Sequence, residues 1–192
     1  MDVCLRTGDA GGDATGLLDD GELMGALWCR PYLVLEPELV SVVASQEGPP
    51  VGYVLGALDS AAFHAAADER YWPAARERFA LGAAPEGSLD ELLVSLIHDR
   101  THADGSGAES ELDERYPSHL HIDLLPEAQG QGFGRRLIER LIGQLDERGS
   151  SGVHLGVSKA NHRAIAFYRH VGFVEWDGPD DGINLTFVRT IS

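Results

Sequence analysis

Residues 120–135, with the sequence LHIDLLPEAQGQGFGR, decide the fold of this chain. A short apolar strand passes through a Pro-Glu turn into a glycine-rich loop, and this loop opens directly into a helix. The glycines are Gly130, Gly132 and Gly134, and the apolar residues between positions 137 and 145 share one helical face. A glycine loop before a helix N-terminus points unpaired main-chain N–H groups at an anion. The stretch therefore predicts a pyrophosphate-binding site.

Three kinds of phosphate-binding loop are distinguished by the spacing of their glycines. A Walker-type loop requires a Lys after the last glycine, and no Lys follows here. The dinucleotide-binding fingerprint requires G-x-G-x-x-G and an acidic residue about 20 positions later, where this chain has Ser150. The remaining pattern is Q-x-x-G-x-G, from Gln129 through Gly132 to Gly134. A tight strand-to-helix turn that simply requires glycine is the alternative explanation.

A second motif follows the helix. Residues 152–157, GVHLGV, predict a strand, and residues 161–173, NHRAIAFYRHVGF, predict a helix. Asn161 is a good N-cap for this helix, and Tyr168 lies about two turns later, so both side chains can face one cleft. A core aromatic residue with its hydroxyl at the surface is the alternative interpretation of Tyr168.

Together the two motifs resemble those of the GNAT superfamily of acetyl-CoA-dependent N-acetyltransferases. The loop is similar to the superfamily pattern [QR]-x-x-G-x-[GA], and residues 161–173 resemble N-x-x-A-[IV]-x-[FL]-Y-x-x-x-G-F at every defined position. The segments RTGDAGGDAT (6–15) and HLHIDLLP (119–126) resemble a bacterial subfamily related to the C-terminal acetyltransferase-like domain of protein O-GlcNAcase. That domain is regarded as a pseudo-acetyltransferase without the cofactor motif, whereas this chain has the motif.

The resemblance implies an α/β GNAT fold with a central mixed, twisted sheet that is split between the fourth and fifth strands. Residues 39–44 and 51–58 predict an antiparallel hairpin, and residues 61–117 predict a helical insertion between the third and fourth strands. The first strand of the superfamily is absent from the pattern, which leaves a sheet edge that a homodimer would cover. We expect a single domain over residues 1–192.

The composition limits the classes of function. A net charge of −16 disfavours a nucleic-acid partner, and it suits either simple solubility or the attraction of an amine. No apolar run is long enough to span a membrane and no signal peptide is recognisable, so a cytoplasmic location is expected. The two cysteines, Cys4 and Cys29, have no metal-like spacing and are expected to be free thiols.

The resemblance implies that acetyl-CoA binds in the split of the sheet. Main-chain groups of Leu124 and Leu125 would bind the pantetheine and the acetyl carbonyl, the latter through an oxyanion-type donor. Main-chain N–H groups of the loop would bind the pyrophosphate, from residues Gln129, Gly130, Gln131, Gly132, Phe133, Gly134 and Arg135. Asn161 would also face the cofactor, and Tyr168 would donate a proton to the departing coenzyme A thiolate.

The general base is the residue that the sequence determines least. His119, His121 and Asp123 alternate along the fourth strand and therefore share one face. Asp123 and His121 are the candidate bases, because the pKa of a histidine is near neutral pH. A polar strand face beneath the insertion and a zinc site are alternatives, although the superfamily offers no precedent for a metal and none is expected. A strand bulge would exchange the face that meets the cleft.

Asp9 and Asp13 lie in the loop that corresponds to the acceptor side of the superfamily. Their carboxylates could bind an ammonium group, and ordinary turn chemistry explains them equally well. The resemblance thus implies an N-acetyltransferase in which a small-molecule or protein amine attacks the thioester directly. A non-catalytic acetyl-CoA-binding or protein-interaction module and a nucleotide-binding protein remain as alternatives.

Overall fold

The computed structural model describes residues 1–44, 47–99, 111–178 and 182–191. Its strands are β1 (Val40–Ala44), β2 (Pro50–Ala57), β3 (Ser118–Leu124), β4 (Gly152–Ser158), β5 (Val174–Glu175) and β6 (Asn184–Thr190). They form one sheet in the order β1-β2-β3-β4-β6-β5. Strands β3 and β4 are parallel, and the other neighbours are antiparallel. The predicted hairpin and the mixed α/β sheet are confirmed.

Helices cover both faces of this sheet. They are α1 (Asp2–Leu5), α2 (Glu22–Trp28), α3 (Arg30–Leu35), α4 (Ser60–Arg70), α5 (Trp72–Arg78), α6 (Leu89–His98), α7 (Glu111–Arg115), α8 (Phe133–Asp146) and α9 (His162–His170). Helices α4 to α7 form the predicted insertion, of which residues 100–110 lie outside the described part. Side-chain caps start its longer helices, since Asp59 caps α4 and Ser88 caps α6.

The N-terminal segment contains helices where the superfamily has its first strand. Residues 1–39, all described, hold no strand before β1, only an isolated bridge between Asp9 and Gly12. In the described ranges β1 therefore pairs with β2 alone, and the predicted homodimer stays a prediction. Among the described helices, none combines the length and the apolar character that crossing a bilayer requires.

The two faces of the sheet belong to two hydrophobic clusters. Tyr53 and Leu55 of β2 pack with α1 to α6, whereas Val54 between them packs with α8 and α9 on the opposite face. Helix α8 buries the apolar face that its spacing predicts, with Ile138 and Leu141 fully buried. Strand β3 consequently lies between two helical layers, and its alternate residues face different layers.

Strands β3 and β4 separate soon after they begin. Ser118 pairs with Val153 and His119 pairs with His154, and the register between the two strands ends there. Both strands continue for several residues beyond this point, so a wedge opens between them. The predicted split of the sheet is confirmed. It was expected between the fourth and fifth strands of the superfamily, and these correspond to β3 and β4 here because residues 1–39 contain no counterpart of the superfamily's first strand.

Candidate active site

One large cavity follows the wedge between β3 and β4, with a volume of about 1730 Å³. Its walls come from these two strands, from the glycine loop with α9, and from the N-terminal helices. The predicted site residues that line it are His121, Asp123, Leu124, Gln129, Gly130, Gly132, Gly134, Arg135, Asn161 and Tyr168. The fold thus brings most of the predicted cofactor and catalytic residues to one cavity.

The glycine loop ends at the N-terminus of α8, where the N-cap residue Gly132 has no side chain to cap it. Gly130 and Gly132 have φ angles of 73° and 79°, a left-handed backbone that glycine adopts without strain. The first bond of α8 runs from the Arg136 N–H to the Gly132 carbonyl at 3.1 Å, so the preceding N–H groups lie outside the helical ladder. A Cβ added at Gly130 or Gly132 would meet no atom within 4 Å. The geometry is that of an open anion cradle.

Gly134 sets how closely α8 approaches the opposite wall of the cavity. A Cβ at this residue would lie 2.9 Å from Phe167 Cζ and 3.2 Å from Leu124 Cδ1. Gln129 points inward, and its Nε2 donates to the Leu124 carbonyl at 2.6 Å. Within the described residues, the buried Oε1 of Gln129 has no hydrogen-bond partner. A buried acceptor of this kind fits a ligand that brings an N–H group.

The main chain of β3 turns its polar groups toward the wedge at alternate residues. The Leu125 N–H donates to the Val51 carbonyl at 2.8 Å, and the next register pair joins Leu124 to Gly52. Bonded and non-bonded pairs alternate along an antiparallel ladder, so the Leu124 N–H points away from β2 and into the wedge. The N–H of Leu125 is thus bonded within the protein, and the cofactor-binding role expected for Leu125 stays a prediction. Of the two residues, Leu124 is the one that can donate to an oxyanion.

Asn161 caps α9 as predicted, since its Oδ1 accepts the Ala164 N–H at 3.0 Å. The side-chain amide of Asn161 also lies against the N-terminal loop, where a Cβ added at Gly11 would be 3.0 Å from Nδ2. The loop after α1 therefore lies over the N-terminus of α9, next to the cavity.

The two carboxylates of that loop do not reach the cavity. The loop lines it through Gly8, Ala10 and Gly11, and neither Asp9 nor Asp13 is among the lining residues. Asp13 Oδ1 instead accepts the Thr15 N–H at 2.8 Å, and the hydrogen bonds with Thr15 hold the pKa of Asp13 below its usual value. Turn chemistry thus accounts for the contacts of the Asp13 carboxylate, and the acceptor-binding role expected for Asp9 and Asp13 stays a prediction.

Tyr168 belongs both to the core and to the cavity. Its ring packs against Phe173 and Phe187, with centroid distances of 5.9 Å and 5.8 Å. The residue is 7% exposed and lines the cavity. Burial, aided by the negative charge of Asp123, raises the pKa of the phenol. Tyr168 therefore keeps its proton at neutral pH, as a proton donor must.

His119 lines the same cavity as His121 and Asp123, but its contacts are different. Its Nδ1 lies 2.8 Å from Ser60 Oγ, and its ring packs edge-on against Phe63 with a centroid distance of 5.1 Å. Burial is the main cause of its lowered pKa. For His119, the interpretation as a polar position beneath the insertion is therefore the better one.

His121 and Asp123 form a hydrogen-bonded cluster with Tyr53 of the neighbouring strand. Tyr53 lies opposite Asp123 in the register, and its hydroxyl donates to Asp123 Oδ2. His121 Nε2 lies 3.1 Å from the same carboxylate oxygen and 2.9 Å from the Tyr53 hydroxyl. The side chains of His121 and Asp123 remain 29% and 21% exposed, so the cavity reaches both. Both of these contacts of the Asp123 side chain involve Oδ2.

Opposing effects set the pKa of His121. Burial alone lowers it, but the charge of Asp123 and the hydrogen bonds with Asp123 and Cys4 outweigh burial and raise the pKa to about 10. The imidazole is therefore protonated at neutral pH and neutralises the Asp123 carboxylate. A protonated imidazole cannot accept a proton, so Asp123 is the better of the two predicted bases.

Tyr53, Cys29 and Cys4 are the cluster residues that the sequence analysis missed. Cys29 Sγ donates to the Tyr53 hydroxyl at 3.3 Å, and Cys4 Sγ lies 3.7 Å from the Met24 carbonyl oxygen, to which it donates. The period-two alternation of β2 indicated which face Tyr53 occupies. No spacing in the sequence connects the cysteines to β3, because they come from separate helices.

Comparisons with known proteins agree with this geometry. The model of the acetyltransferase (GNAT) family matches residues 7–173. The crystal structure of SsHAT is 38% identical in sequence, with a TM-score of 0.88, over 100% of this chain and 91% of that chain. Mycothiol acetyltransferase from Nocardiopsis dassonvillei is 29% identical over 182 residues, which are 82% of this chain and 51% of the relative.

A shorter similarity covers the cofactor motifs. Ribosomal protein bS18-alanine N-acetyltransferase from Escherichia coli (strain K12) is 42% identical over 64 residues, which are 33% of this chain and 42% of the relative. The chain thus spans about half, or less, of the length of these curated relatives. None of these three proteins is named as an O-GlcNAcase, so that narrower resemblance stays a prediction.

Proposed function

Since the chain belongs to the acetyltransferase (GNAT) family, we propose that it transfers an acetyl group from acetyl-CoA to an amine by direct attack in a ternary complex. The observation that carries the proposal is the wedge between β3 and β4, which one cavity joins to the open glycine loop, to Asp123 and to Tyr168. Members of the family act on small-molecule or protein amines, and the acceptor of this chain is an amine of one of these kinds.

The residues along the wedge fit a coenzyme A thioester. The uncapped N-terminus of α8 offers free N–H groups to the pyrophosphate, with the helix dipole adding attraction. The unpartnered Oε1 of Gln129 suits an amide N–H of the pantetheine chain. Between them, the Leu124 N–H points into the wedge, where a thioester carbonyl would lie. When bound, this group supplies an acetyl thioester with a coenzyme A thiolate as leaving group.

Three residues act on the reacting atoms in this proposal. Asp123 accepts the proton that the amine loses as its nitrogen forms the new bond to the acetyl carbon. The Leu124 N–H donates to the carbonyl oxygen, where negative charge develops. As the carbon–sulfur bond breaks, Tyr168 gives its phenolic proton to the leaving sulfur, and proton exchange with solvent restores both side chains.

A ligand series tests the donor half of the proposal. Acetyl-CoA and coenzyme A are expected to raise the melting temperature, by mass action on the native state, whereas ATP and NAD are not. Stabilisation by ATP or NAD alone would instead favour the nucleotide-binding alternative. The measurement requires no acceptor, so it separates binding from transfer.

An acceptor screen tests the catalytic half. We expect release of free coenzyme A thiol with at least one amine, and a fall of about 100-fold in kcat for Tyr168→Phe, near the lower limit for proton-transfer catalysis. Binding of acetyl-CoA should survive this substitution. Tight binding without thiol release across small amines and peptide amines would favour the non-catalytic module, and unchanged turnover in Tyr168→Phe would remove Tyr168 from the mechanism.

A further inference from the structure

Three soft donor atoms meet beside Asp123, although they come from separate segments. Cys4 lies on α1, Cys29 lies between α2 and α3, and His121 lies on β3. Their sulfur and ring-nitrogen atoms all lie within 4.8 Å of one another. Both cysteines are 3% exposed, and Cys4 lines the cavity. The proposed acetyl transfer uses neither thiol.

We propose that Cys4, Cys29 and His121 bind one divalent zinc-like metal ion. Two thiolates and one imidazole form a donor set that zinc prefers, and three protein ligands leave a fourth position for water. A small inward movement of the side chains would bring each donor to a normal ligand distance. Binding releases the two thiol protons to solvent, and the ion then supplies the positive charge that two thiolates in an apolar layer require.

The surroundings of His121 match those of a metal-bound imidazole. His121 Nε2 already contacts Asp123 Oδ2 and the Tyr53 hydroxyl, so Nδ1 is the ligating nitrogen in this proposal. A carboxylate on the far nitrogen of a ligating histidine fixes its tautomer and its orientation. The metal then replaces the Nδ1 proton and leaves Asp123 outside the coordination shell. The site is therefore compatible with Asp123 as the proton acceptor.

The cavity gives the ion a route to the site, since Cys4 and His121 both line it. The bound ion would join the N-terminal helices to β3, in addition to the apolar packing of these helices on β2. Hard cations such as calcium and magnesium are disfavoured, because they prefer oxygen ligands. The proposal does not depend on acetyl transfer, and its measurements require no acetyl-CoA.

Cobalt binding to the full chain tests the proposal directly. The chain is purified under a phosphine reductant, freed of metal, and titrated with Co²⁺ and then with Zn²⁺. We expect one Co²⁺ per chain with a near-ultraviolet thiolate-to-cobalt charge-transfer band, displacement by Zn²⁺, and a higher melting temperature with either metal. Cys4→Ser and Cys29→Ser should each remove the band, and Asp123→Asn should weaken binding by about 10- to 100-fold. His170→Asn, an exposed imidazole at the end of α9, serves as the control and should bind like the wild type.

Two results would overturn the site. One is a folded, reduced wild type without a charge-transfer band, and the other is a band that persists when both cysteines are replaced. Circular dichroism identifies a cysteine variant that fails to fold. The titration of the wild type still shows whether the metal binds, because it does not depend on the variants.

Discussion

The two walls of the cavity are built from the chain in different ways. The cofactor wall comes from one continuous stretch, residues 120–168, in which strand, glycine loop, helix, strand and helix follow in order. On the other side, Cys4, Cys29 and Tyr53 come from three separate segments to the His121–Asp123 pair. Residues of a continuous segment keep a fixed spacing in the sequence, and residues brought together from separate segments do not. The predicted cofactor site is therefore recognisable from the sequence, whereas the partners of His121 and Asp123 are not.

The largest effect is expected at Asp123, where the two walls meet. Asp123→Asn keeps the shape of the side chain but cannot accept a proton from the amine, so kcat should fall by about 10²- to 10⁴-fold. Acetyl-CoA affinity should change little, because the cofactor wall is unaffected. Steady-state kinetics with the acceptor from the screen, and calorimetry for acetyl-CoA, measure the two quantities.

Glu127→Gln removes a nearby carboxylate from the turn before the glycine loop and serves as the matched control. Its kcat should equal that of the wild type. If Asp123→Asn and Glu127→Gln lowered kcat equally, a general effect of charge would explain the loss, and Asp123 would not be the base.

An intermediate effect is expected on the cofactor wall at Gly134. In Gly134→Ala the added methyl group would collide with Phe167 and Leu124, and overpacking of this kind costs about 1–3 kcal/mol. We expect acetyl-CoA affinity to fall by about ten- to hundred-fold as α8 moves away from β3. Calorimetry or a thermal-shift titration measures the change.

Gly143→Ala is the paired control in the same helix, because an added Cβ there meets no atom within 4 Å. This change should raise stability by about 0.5–1 kcal/mol, since alanine is the better helix former, and leave affinity unchanged. Equal affinities of the two variants for acetyl-CoA would show that binding does not depend on the close approach of Gly134 to Phe167 and Leu124.

The smallest effect is expected at Tyr53, which orients Asp123 without contacting substrate. Tyr53→Phe removes the hydroxyl that contacts Asp123, His121 and Cys29, and the loss of one hydrogen bond to a charged group costs about 1.5–3 kcal/mol. Because His121 still holds the carboxylate, we expect kcat to fall by only about tenfold, with KM for acetyl-CoA unchanged.

Tyr71→Phe is the control for Tyr53, because its hydroxyl donates to the Ala26 carbonyl at 2.8 Å in the same helical layer. It should lower the free energy of unfolding by about 1 kcal/mol and leave kcat unaltered. A tenfold loss of kcat in both variants would indicate that loosening of the helical layer, rather than orientation of Asp123, causes the effect.

The predictions from sequence were most accurate where the pattern lies within a single helix or strand. The apolar run of β2 and the helical spacing of α8 each predict buried residues, and the structure buries them. The Asn161 cap likewise depends on residues only three positions apart. Local periodicity and capping are short-range properties, so one sequence suffices to recognise them.

Predictions that depend on the orientation of a group have less support in the sequence. Leu125 follows Leu124 directly, yet its N–H bonds to Val51, because the strand register decides which residue faces the wedge. Asp13 resembles an ammonium ligand in the sequence, but it closes its own turn with Thr15. Register and side-chain direction are set by long-range pairing, for which the spacing of residues carries no signal.

Local sequence patterns were enough to predict the α/β character of the chain, the glycine loop before α8 and the Asn161–Tyr168 helix. These features arise from residues close together in the chain, whose backbone preferences and apolar spacing act locally. Three-dimensional packing was needed to show that Tyr53 contacts Asp123, that His119 and His121 have different partners, and that two distant cysteines meet beside the wedge. Those contacts form when helical layers pack against β3, and packing joins residues without regard to their separation in sequence.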